Sequence, residues 1–323
     1  MQNNFYYRIH TGKQHGLIPD EIPEGIKLVI APDSSSNDYQ EHEYLKTFRG
    51  VDVLVIDHHE AETISEYACV INNQLCDYPT KSLSGVGMVY KFCSYIDELM
   101  NVDYADDLLD LVALGMVADM MDLRDFETRH LVTRGLEKIK NPYFSGMVSK
   151  NEYSLRDGIT PMGVAFYIAP YVNATIRMGT QDEKLMLFES MLDYRGYEQV
   201  PSTKRGCKGQ VETRVEQACR NCTNIKNRQT KARDASLAII ERIIEEENLL
   251  ENKILIVRLT PAHATDKNLT GLIANQLMGK YQRPVLLLNK TSYELDGKTI
   301  VAWEGSGRGY DKSKFDNLRE FLI

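Results

Sequence analysis

The sequence lacks the features that mark membrane-spanning, secreted and disulfide-stabilised proteins. No apolar run in its 323 residues approaches the roughly 20 residues that cross a bilayer, and the chain has no signal-like start. Its six cysteines are too few and too scattered for a disulfide framework at this length. We therefore expect a cytoplasmic protein without a membrane partner.

Positive charge is also in short supply, because 46 acidic residues outnumber 38 basic residues and leave a net charge of -8. This balance excludes a protein coated in basic charge. It does not exclude a nucleic-acid enzyme, since a local basic groove is sufficient and a bound metal adds positive charge. The hydrophobic content of 43% and the charged content of 26% are ordinary for a globular protein of two domains.

Polar residues follow two predicted parallel strands. Residues 27–31 and 51–56 are apolar runs separated by a helical pattern over 39–48, so they form a strand–helix–strand unit. Asp33 follows the first strand, and Asp57-His58-His59 follows the second. The carboxyl ends of parallel strands share one edge of a sheet, where such folds place their ligands. Aspartate and histidine there suit Mn, Mg, Fe or Zn, while the alternative is a solvated turn.

A third candidate ligand ends the most apolar helical pattern. Residues 103–121 predict a helix that is buried on most sides, and Asp119 stands near its end. An acid at that end gains nothing from the helix dipole, which favours a functional explanation. The alternative is an ordinary acid at a helix terminus.

Two further segments suit phosphate groups. Arg177 follows a predicted helical segment and precedes Gly179, an arrangement that suits a fixed guanidinium. Near the end, Gly305-Ser306-Gly307-Arg308 combines glycines, which allow close approach of backbone N–H groups, with a second arginine. A surface arginine and a plain turn are the alternatives.

Hydrophobic patterns along the chain predict an α/β fold in three parts. Residues 1–198 form a parallel-sheet domain with flanking helices, and residues 252–323 form a smaller α/β domain. Residues 199–251 contain a linker and a long connecting helix, with its helical pattern over 212–250. The first half of that helix is basic, and it forms either a solvated face or one wall of a nucleic-acid groove.

Taken in order, these segments resemble motifs of the DHH phosphoesterase superfamily. Within it, the sequence is most similar to the RecJ-like single-stranded-DNA-specific exonucleases, including shorter versions carried by phages. The resemblance covers nearly the whole chain. The matching segments, in chain order, are Asp33, Asp57-His58-His59, Ser84–Gly87, Leu114–Asp119, Ile168–Gly179 and Gly305–Arg308.

The resemblance implies a phosphodiesterase with two divalent ions, Mn²⁺ or Mg²⁺. It implies that Asp33 bridges the two ions and that His58 and Asp119 bind one of them. Asp57 would belong to the metal site and hold the His58 ring. His59 would donate to an oxygen of the scissile phosphate.

The resemblance also implies the substrate and its contacts. Single-stranded DNA would be cut from its 5′ end during repair and recombination, with a single-strand-binding protein or a helicase as protein partner. The residues expected to contact phosphates are Asn173, Arg177, Gly305, Ser306, Gly307 and Arg308.

Two elements of the family pattern are absent from this sequence. These are the first motif, Asp-x-Asp-x-Asp-Gly, and a late Gly-Gly-His element. We therefore expect the DHH domain at 1–198 and the DHH-associated substrate-binding domain at 252–323 to be incomplete at their outer ends. A longer protein, a partner chain that supplies the first motif, or loss of activity would each account for the absence.

Two other functions stay open on the sequence alone. Smaller relatives hydrolyse short oligonucleotides or cyclic dinucleotides. A chain of this fold could also be a catalytically inactive protein that binds single-stranded nucleic acid without metal.

Overall fold

The computed structural model describes residues 5–10, 16–295, 298–313 and 318. The fold is α/β, as predicted, and it divides into two compact units, Met1–Thr223 and Asn224–Ile323. The boundary lies inside one long helix, and the three-part division stays a prediction. Among the described residues, no helix is both long enough and apolar enough to cross a bilayer.

The first unit contains a parallel sheet of three strands in the order β1-β2-β3. Its strands are β1 (Leu28–Pro32), β2 (Asp52–Asp57) and β3 (Cys69–Asn72). Helix α1 (Tyr39–Arg49) connects β1 to β2, which confirms the predicted strand–helix–strand unit. Strand β2 lies between two neighbours, and the apolar side chains Val53, Val55 and Ile56 are fully buried, as expected for a central parallel strand.

Eight helices complete the described part of the first unit before residue 199. They are α2 (Gly85–Met100), α3 (Leu109–Ala118), α4 (Phe126–Glu137), α5 (Pro142–Lys150), α6 (Pro161–Tyr167), α7 (Ala169–Met178), α8 (Gln181–Ser190) and α9 (Asp193–Gly196). Helix α3 is buried on most sides, as its sequence predicted. Gly115 lies against Val86 of α2, and Gly135 of α4 lies against Leu109, so glycines permit close packing on two sides of α3.

Helix α3 is shorter than the predicted 103–121. A 3₁₀ turn (Ala105–Leu108) precedes it, and the Asp97 carboxylate accepts hydrogen bonds from the backbone N–H groups of Tyr104 and Ala105. Helix α5 was not predicted at all. The Asn141 side chain accepts hydrogen bonds at the N-terminus of this short helix, and Pro142 occupies its first position. Asn-Pro is a typical helix start, so the helix could have been predicted from the sequence.

The segment predicted as a linker ahead of the long helix contains two short strands. Strand β4 (Gln199–Pro201) pairs with β5 (Val211–Thr213) in an antiparallel hairpin. The buried Glu212 of this hairpin pairs with Arg220 of helix α10 (Arg214–Glu246). The long connecting helix itself is confirmed.

The second unit contains a three-stranded sheet in the order β6-β7-β8. Its elements are β6 (Leu255–Leu259), α11 (Lys267–Tyr281), β7 (Val285–Leu295) and β8 (Lys298–Arg308). Strands β6 and β7 are parallel, and β7 and β8 are antiparallel. Helix α11 buries Leu269, Ile273 and Leu277 against this sheet. Gly305-Ser306-Gly307-Arg308 is part of β8, so the alternative of a plain turn is wrong.

Candidate metal centre

Asp33 begins the site at the end of β1. Its backbone has a φ of 59°, in the left-handed region, and its N–H donates to the Ile56 carbonyl of β2 at 2.8 Å. Aspartate is one of the few residues with a side chain that adopt this conformation readily. The carboxylate then lies against Gly85, the first residue of α2, where any side chain would overlap it. A helix N-terminus favours a negative charge at that position.

His58 joins the two carboxylates. Its Nε2 atom lies 3.2 Å from Asp33 Oδ1 and 3.4 Å from Asp119 Oδ2. The His58 side chain is 12% exposed, whereas Asp33 and Asp119 are 62% and 52% exposed, so the imidazole forms the floor of an open site. The predicted convergence of these residues at one edge of the sheet is therefore what the structure contains.

Asp119 reaches the site because α3 ends abruptly. Its N–H donates to Gly115 at 2.9 Å, and the next residue, Met120, has a left-handed φ of 56°. Asn173 of α7 donates from Nδ2 to the Ala118 carbonyl at 3.3 Å, so it supports the backbone just before Asp119. Arg177 lies in the last turn of α7 and is exposed, whereas the sequence predicted it just past a helix end.

Asp57 is buried beneath the triplet. Its Oδ1 accepts from the His58 N–H at 2.8 Å and contacts His59 Nδ1 at 2.7 Å, while Oδ2 accepts from the Ser36 N–H at 3.2 Å. The ring that Asp57 holds is therefore that of His59, and the expectation that it holds the His58 ring is wrong. The Asp57 carboxylate is 1% exposed, and its assignment as a metal ligand stays a prediction.

Two residues that the sequence did not single out position the triplet. Buried Asn72, at the end of β3, donates to the His59 carbonyl at 2.9 Å and to Ser36 Oγ at 2.8 Å. These bonds tie the loop after β1 to the loop after β2. Asn72 ends β3 as Asp57 ends β2, and Asp33 directly follows β1, so the repetition of a polar residue at this edge could have indicated Asn72 from the sequence.

Charge and burial shift three pKa values in the site. The hydrogen bond with Asp33 and the nearby carboxylates raise the pKa of His58, despite its burial. Burial raises the pKa of Asp119, an effect that the charge of Asp33 reinforces and His58 opposes. Burial also acts to raise the pKa of Asp57, but hydrogen bonds from His59, Ser36 and His58 outweigh it and lower the value.

The donor set is suited to a divalent cation. Asp33, His58 and His59 each offer an atom within 4.8 Å of the other two, and Asp119 adds a carboxylate beside His58. Carboxylate oxygens and imidazole nitrogens together bind Mn²⁺, Mg²⁺, Fe²⁺ or Zn²⁺. A cation would neutralise the negative charges gathered beside His58, which otherwise repel each other.

The predicted phosphate segment of the second unit lies on β8 beside α11. Ser306 Oγ is 2.9 Å from Thr270 Oγ1, and the Arg308 guanidinium lies beside Gly271 in the first turns of α11. Gly305 must lack a side chain, because a Cβ atom would overlap the Leu287 carbonyl across the sheet. Arginine, hydroxyls and a helix N-terminus together are suited to an anion.

Comparison with known proteins supports the motif assignment. Residues 2–116 match the model described as the DHH family, N-terminal domain. A prophage-derived protein of Bacillus subtilis (strain 168), YorK, which bears the name of a single-strand DNA-specific exonuclease, is 42% identical over 325 residues. That match covers 99% of this chain and 54% of YorK.

RecJ of Bacillus subtilis, named as a single-stranded-DNA-specific exonuclease, is 26% identical over 270 residues, which cover 82% of this chain and 30% of RecJ. A crystal structure of exonuclease RecJ bound to manganese superposes with a TM-score of 0.64 at 22% identity, over 85% of this chain and 64% of that one. The chain spans about half the length of YorK and less of RecJ. Residues 2–116 therefore form a DHH-family N-terminal domain, and the chain is similar to YorK and RecJ over most of its length.

Proposed function

We propose that this chain is the catalytic part of an exonuclease that hydrolyses phosphodiester bonds of single-stranded DNA with divalent metal. One observation carries the proposal: His58 Nε2 lies 3.2 Å from Asp33 and 3.4 Å from Asp119, in an open site at the carboxyl edge of a parallel sheet. The names of YorK and RecJ give the substrate class.

Mn²⁺ or Mg²⁺ is the proposed cofactor, held by Asp33, His58 and Asp119. Their donor atoms suit either ion, and the RecJ structures that this fold resembles were determined with Mn²⁺ or Mg²⁺. A bound divalent ion supplies an activated water and neutralises charge on the scissile phosphate. The half-exposed carboxylates leave room for a substrate phosphate beside them.

His59 is the proposed proton donor to the phosphate. The buried Asp57 carboxylate fixes its Nδ1 at 2.7 Å, which leaves Nε2 as the ring nitrogen available to substrate. In the doubly protonated ring, Nδ1–H donates to the Asp57 carboxylate and Nε2–H can donate to a non-bridging oxygen of the phosphate without reorienting. We assign phosphate contacts to exposed Arg177 and to Arg308, with Asn173 and Ser306 assisting.

The finer biological role is proposed from the same relatives. Cleavage from the 5′ end during DNA repair and recombination, in the cytoplasm, fits single-stranded DNA as substrate. All six cysteines are free thiols, which fits a reducing compartment. A single-strand-binding protein or a helicase as partner stays a prediction.

The test is Mn²⁺-dependent digestion of single-stranded DNA labelled at the 5′ or the 3′ end, with duplex DNA of the same sequence for comparison. It uses this chain and a version extended at both ends. His58→Ala and Asp119→Ala should each lower the rate by more than about 100-fold, since changes outside the ligand set already cost roughly 10–100-fold.

The matched control is His130→Ala, which removes an exposed histidine of α4 far from the triplet in sequence and should leave the rate unchanged. Equal cutting by His58→Ala and wild type would contradict the proposed metal centre. Binding of single-stranded DNA without metal, with no cutting by either wild-type version, would instead support the catalytically inactive binding protein.

A further inference from the structure

On one face of the sheet in the second unit, Leu318 lies beside Gly307 and Leu286, whereas Ile256, Val301 and Trp303 of the same face are exposed. Helix α11 covers the face that carries Val285 and Leu287, and alternate residues of the same strands project to the opposite face. We name that opposite side the open face. The strand register places on it Ile256 and Arg258 of β6, Leu286, Leu288, Lys290, Ser292 and Glu294 of β7, and Thr299, Val301, Trp303, Gly305 and Gly307 of β8.

An aromatic ring and a guanidinium lie together on the open face. The Arg258 guanidinium is 5.9 Å from the centre of the Trp303 ring, a cation–π contact, and the tryptophan remains 38% exposed. Trp303 pairs across the sheet with exposed Lys290, so a second cation stands beside it. A large ring flanked by two cations is the arrangement that single-stranded nucleic-acid sites use.

The acids of these strands lie away from Trp303. Glu304 projects to the other face, where it pairs with Lys267 of α11 at 3.0 Å. Glu294 is on the open face but near the far end of the β7–β8 hairpin, where it accepts a hydrogen bond from Thr299. The centre of the open face is therefore positive, although the chain carries a net charge of -8. This local charge is complementary to a phosphate backbone.

Glycines leave the surface of β8 next to Trp303 without side chains. Gly305 follows Trp303 on the same face of β8, and it pairs with Leu288, the neighbour of Arg258. An added side chain at Gly305 would overlap the backbone of β7, so this row of the sheet has no β8 side chain. A planar group on the ring would therefore meet little obstruction from the strand.

We propose that the open face binds single-stranded nucleic acid, with one base stacked on Trp303 and adjacent phosphates contacted by Arg258 and Lys290. It rests on the proposed function only for the class of substrate, because it needs neither the metal centre nor cleavage. Aromatic stacking accepts any base, which suits an enzyme that must follow a strand of any sequence.

Trp303 is the only tryptophan of the chain, so intrinsic fluorescence reports directly on the proposed contact. The chain is titrated with an oligothymidylate strand in EDTA, where cleavage cannot proceed, and with duplex DNA as the comparison. Quenching by the single strand, with much weaker quenching by the duplex, is the expected result. Unchanged tryptophan emission at saturating single strand overturns the proposal.

Binding is measured in parallel by anisotropy of labelled oligothymidylate. Trp303→Ala should weaken binding about 10-fold, the loss expected for one stacked base, and Trp303→Phe should recover most of it. Arg258→Ala and Lys290→Ala should each weaken binding and reduce its salt dependence. Recovery by phenylalanine separates loss of stacking from loss of fold.

Tyr153→Ala is the matched control, because Tyr153 is an exposed aromatic residue of the first unit whose ring lies 5.5 Å from the Arg156 guanidinium. It removes the same kind of cation–π pair and should not change binding. Equal weakening by Tyr153→Ala and Trp303→Ala overturns the proposal. So does a tryptophan emission that changes with protein concentration alone, since a second copy would then cover the open face.

The two proposals fail separately. Mn²⁺-dependent cutting, with wild-type tryptophan emission unchanged by the single strand and no effect of Trp303→Ala on binding, removes the base contact and leaves the exonuclease. Quenching of Trp303 by a single strand, without cutting under any metal, retains the base contact and contradicts the exonuclease.

Discussion

Gly85 has no side chain, and this leaves the space that a ligand of the candidate metal centre occupies. The Asp33 carboxylate occupies the space where a Cβ atom at residue 85 would lie. Gly85→Ala should therefore displace Asp33 and lower Mn²⁺ affinity by roughly 10-fold or more, the usual cost of disturbing the support of a ligand. Isothermal titration with Mn²⁺ measures the effect.

Gly279→Ala is the matched control for that substitution. Gly279 lies in helix α11, and an added Cβ atom there would meet nothing within 4 Å. Alanine should raise stability by up to about 1 kcal/mol through helix propensity and leave Mn²⁺ affinity unchanged. Equal Mn²⁺ affinity in the two variants would show that Asp33 is free to move, contrary to the packing described.

At the scale of residues, the sequence was sufficient to predict that the candidate ligands lie together, and it was insufficient for the hydrogen bonds that position them. Asp33, His58 and Asp119 could be predicted because each ends an apolar element, and that pattern is local. The hydrogen bond between Ser36 and Asn72 could not be predicted, because it joins residues 36 positions apart and depends on strand order and register. The ring held by Asp57 was mispredicted for a similar reason, since a side-chain rotamer decides between His58 and His59.

At the scale of elements, the β4–β5 hairpin depends on one buried carboxylate. Glu212 accepts hydrogen bonds from Arg220 of α10 and from Gln217, and these contacts, Arg220 first, hold its pKa well below the ordinary 4.5 despite its burial. A pKa lowered by folding stabilises the folded state above the unfolded value, and this stability is lost as the pH falls below it. The hairpin should therefore weaken in acid.

Glu212→Gln should lower the free energy of unfolding by roughly 1.5–3 kcal/mol at pH 7, the usual cost of losing a charged hydrogen bond. The gap between variant and wild type should narrow below pH 4.5, where Glu212 of the unfolded chain becomes protonated. Urea unfolding followed by circular dichroism at several pH values measures this gap.

Glu198→Gln is the comparison, because Glu198 also pairs with an arginine but is 43% exposed. It should cost less than about 1 kcal/mol, as exposed ion pairs usually do. A difference between Glu212→Gln and wild type that stays constant from neutral to acidic pH would contradict the role given to this carboxylate.

Element prediction succeeded where periodicity was strong and failed where pairing decided the outcome. Strands β1 and β2 and helix α10 were found because apolar runs and the absence of breakers identify them. The β4–β5 hairpin and the glycine-rich end of β8 were misread because glycine and proline are typical of loops. In both cases a neighbouring strand supplies the hydrogen bonds that local sequence does not reveal.

At the scale of the whole molecule, the proposed binding to DNA has to occur on a chain with a net charge of -8. We expect a few placed arginines, not the overall charge, to set the affinity. Arg308→Gln should reduce the slope of log affinity against log salt by about 0.7 for single-stranded DNA, the value for one phosphate contact. Anisotropy titrations at several salt concentrations give the slope.

Arg124→Gln changes the net charge by the same amount and tests the alternative. Arg124 is 92% exposed and pairs with Asp122 at 2.6 Å, with no proposed phosphate contact. Its slope should equal that of the wild type. Equal slopes for Arg308→Gln and Arg124→Gln, both reduced, would mean that total charge governs binding.

The α/β class and the two three-stranded sheets could be predicted, because strand and helix patterns alternate in the segments that form them. The division between compact units could not. It falls inside α10, a helix without a glycine or proline to mark a boundary, so only the contacts made on each side locate it.

The left-handed backbone at Asp33 restricts which sequences can carry this centre. Glycine, asparagine and aspartate adopt that conformation at little cost, whereas most other residues lose roughly 1–2 kcal/mol. Of these three, aspartate alone brings a carboxylate. Glutamate has the same charge but not the same backbone tolerance, and its longer side chain would extend further from β1. The exchange of aspartate for glutamate, which is common on protein surfaces, is therefore disfavoured at position 33.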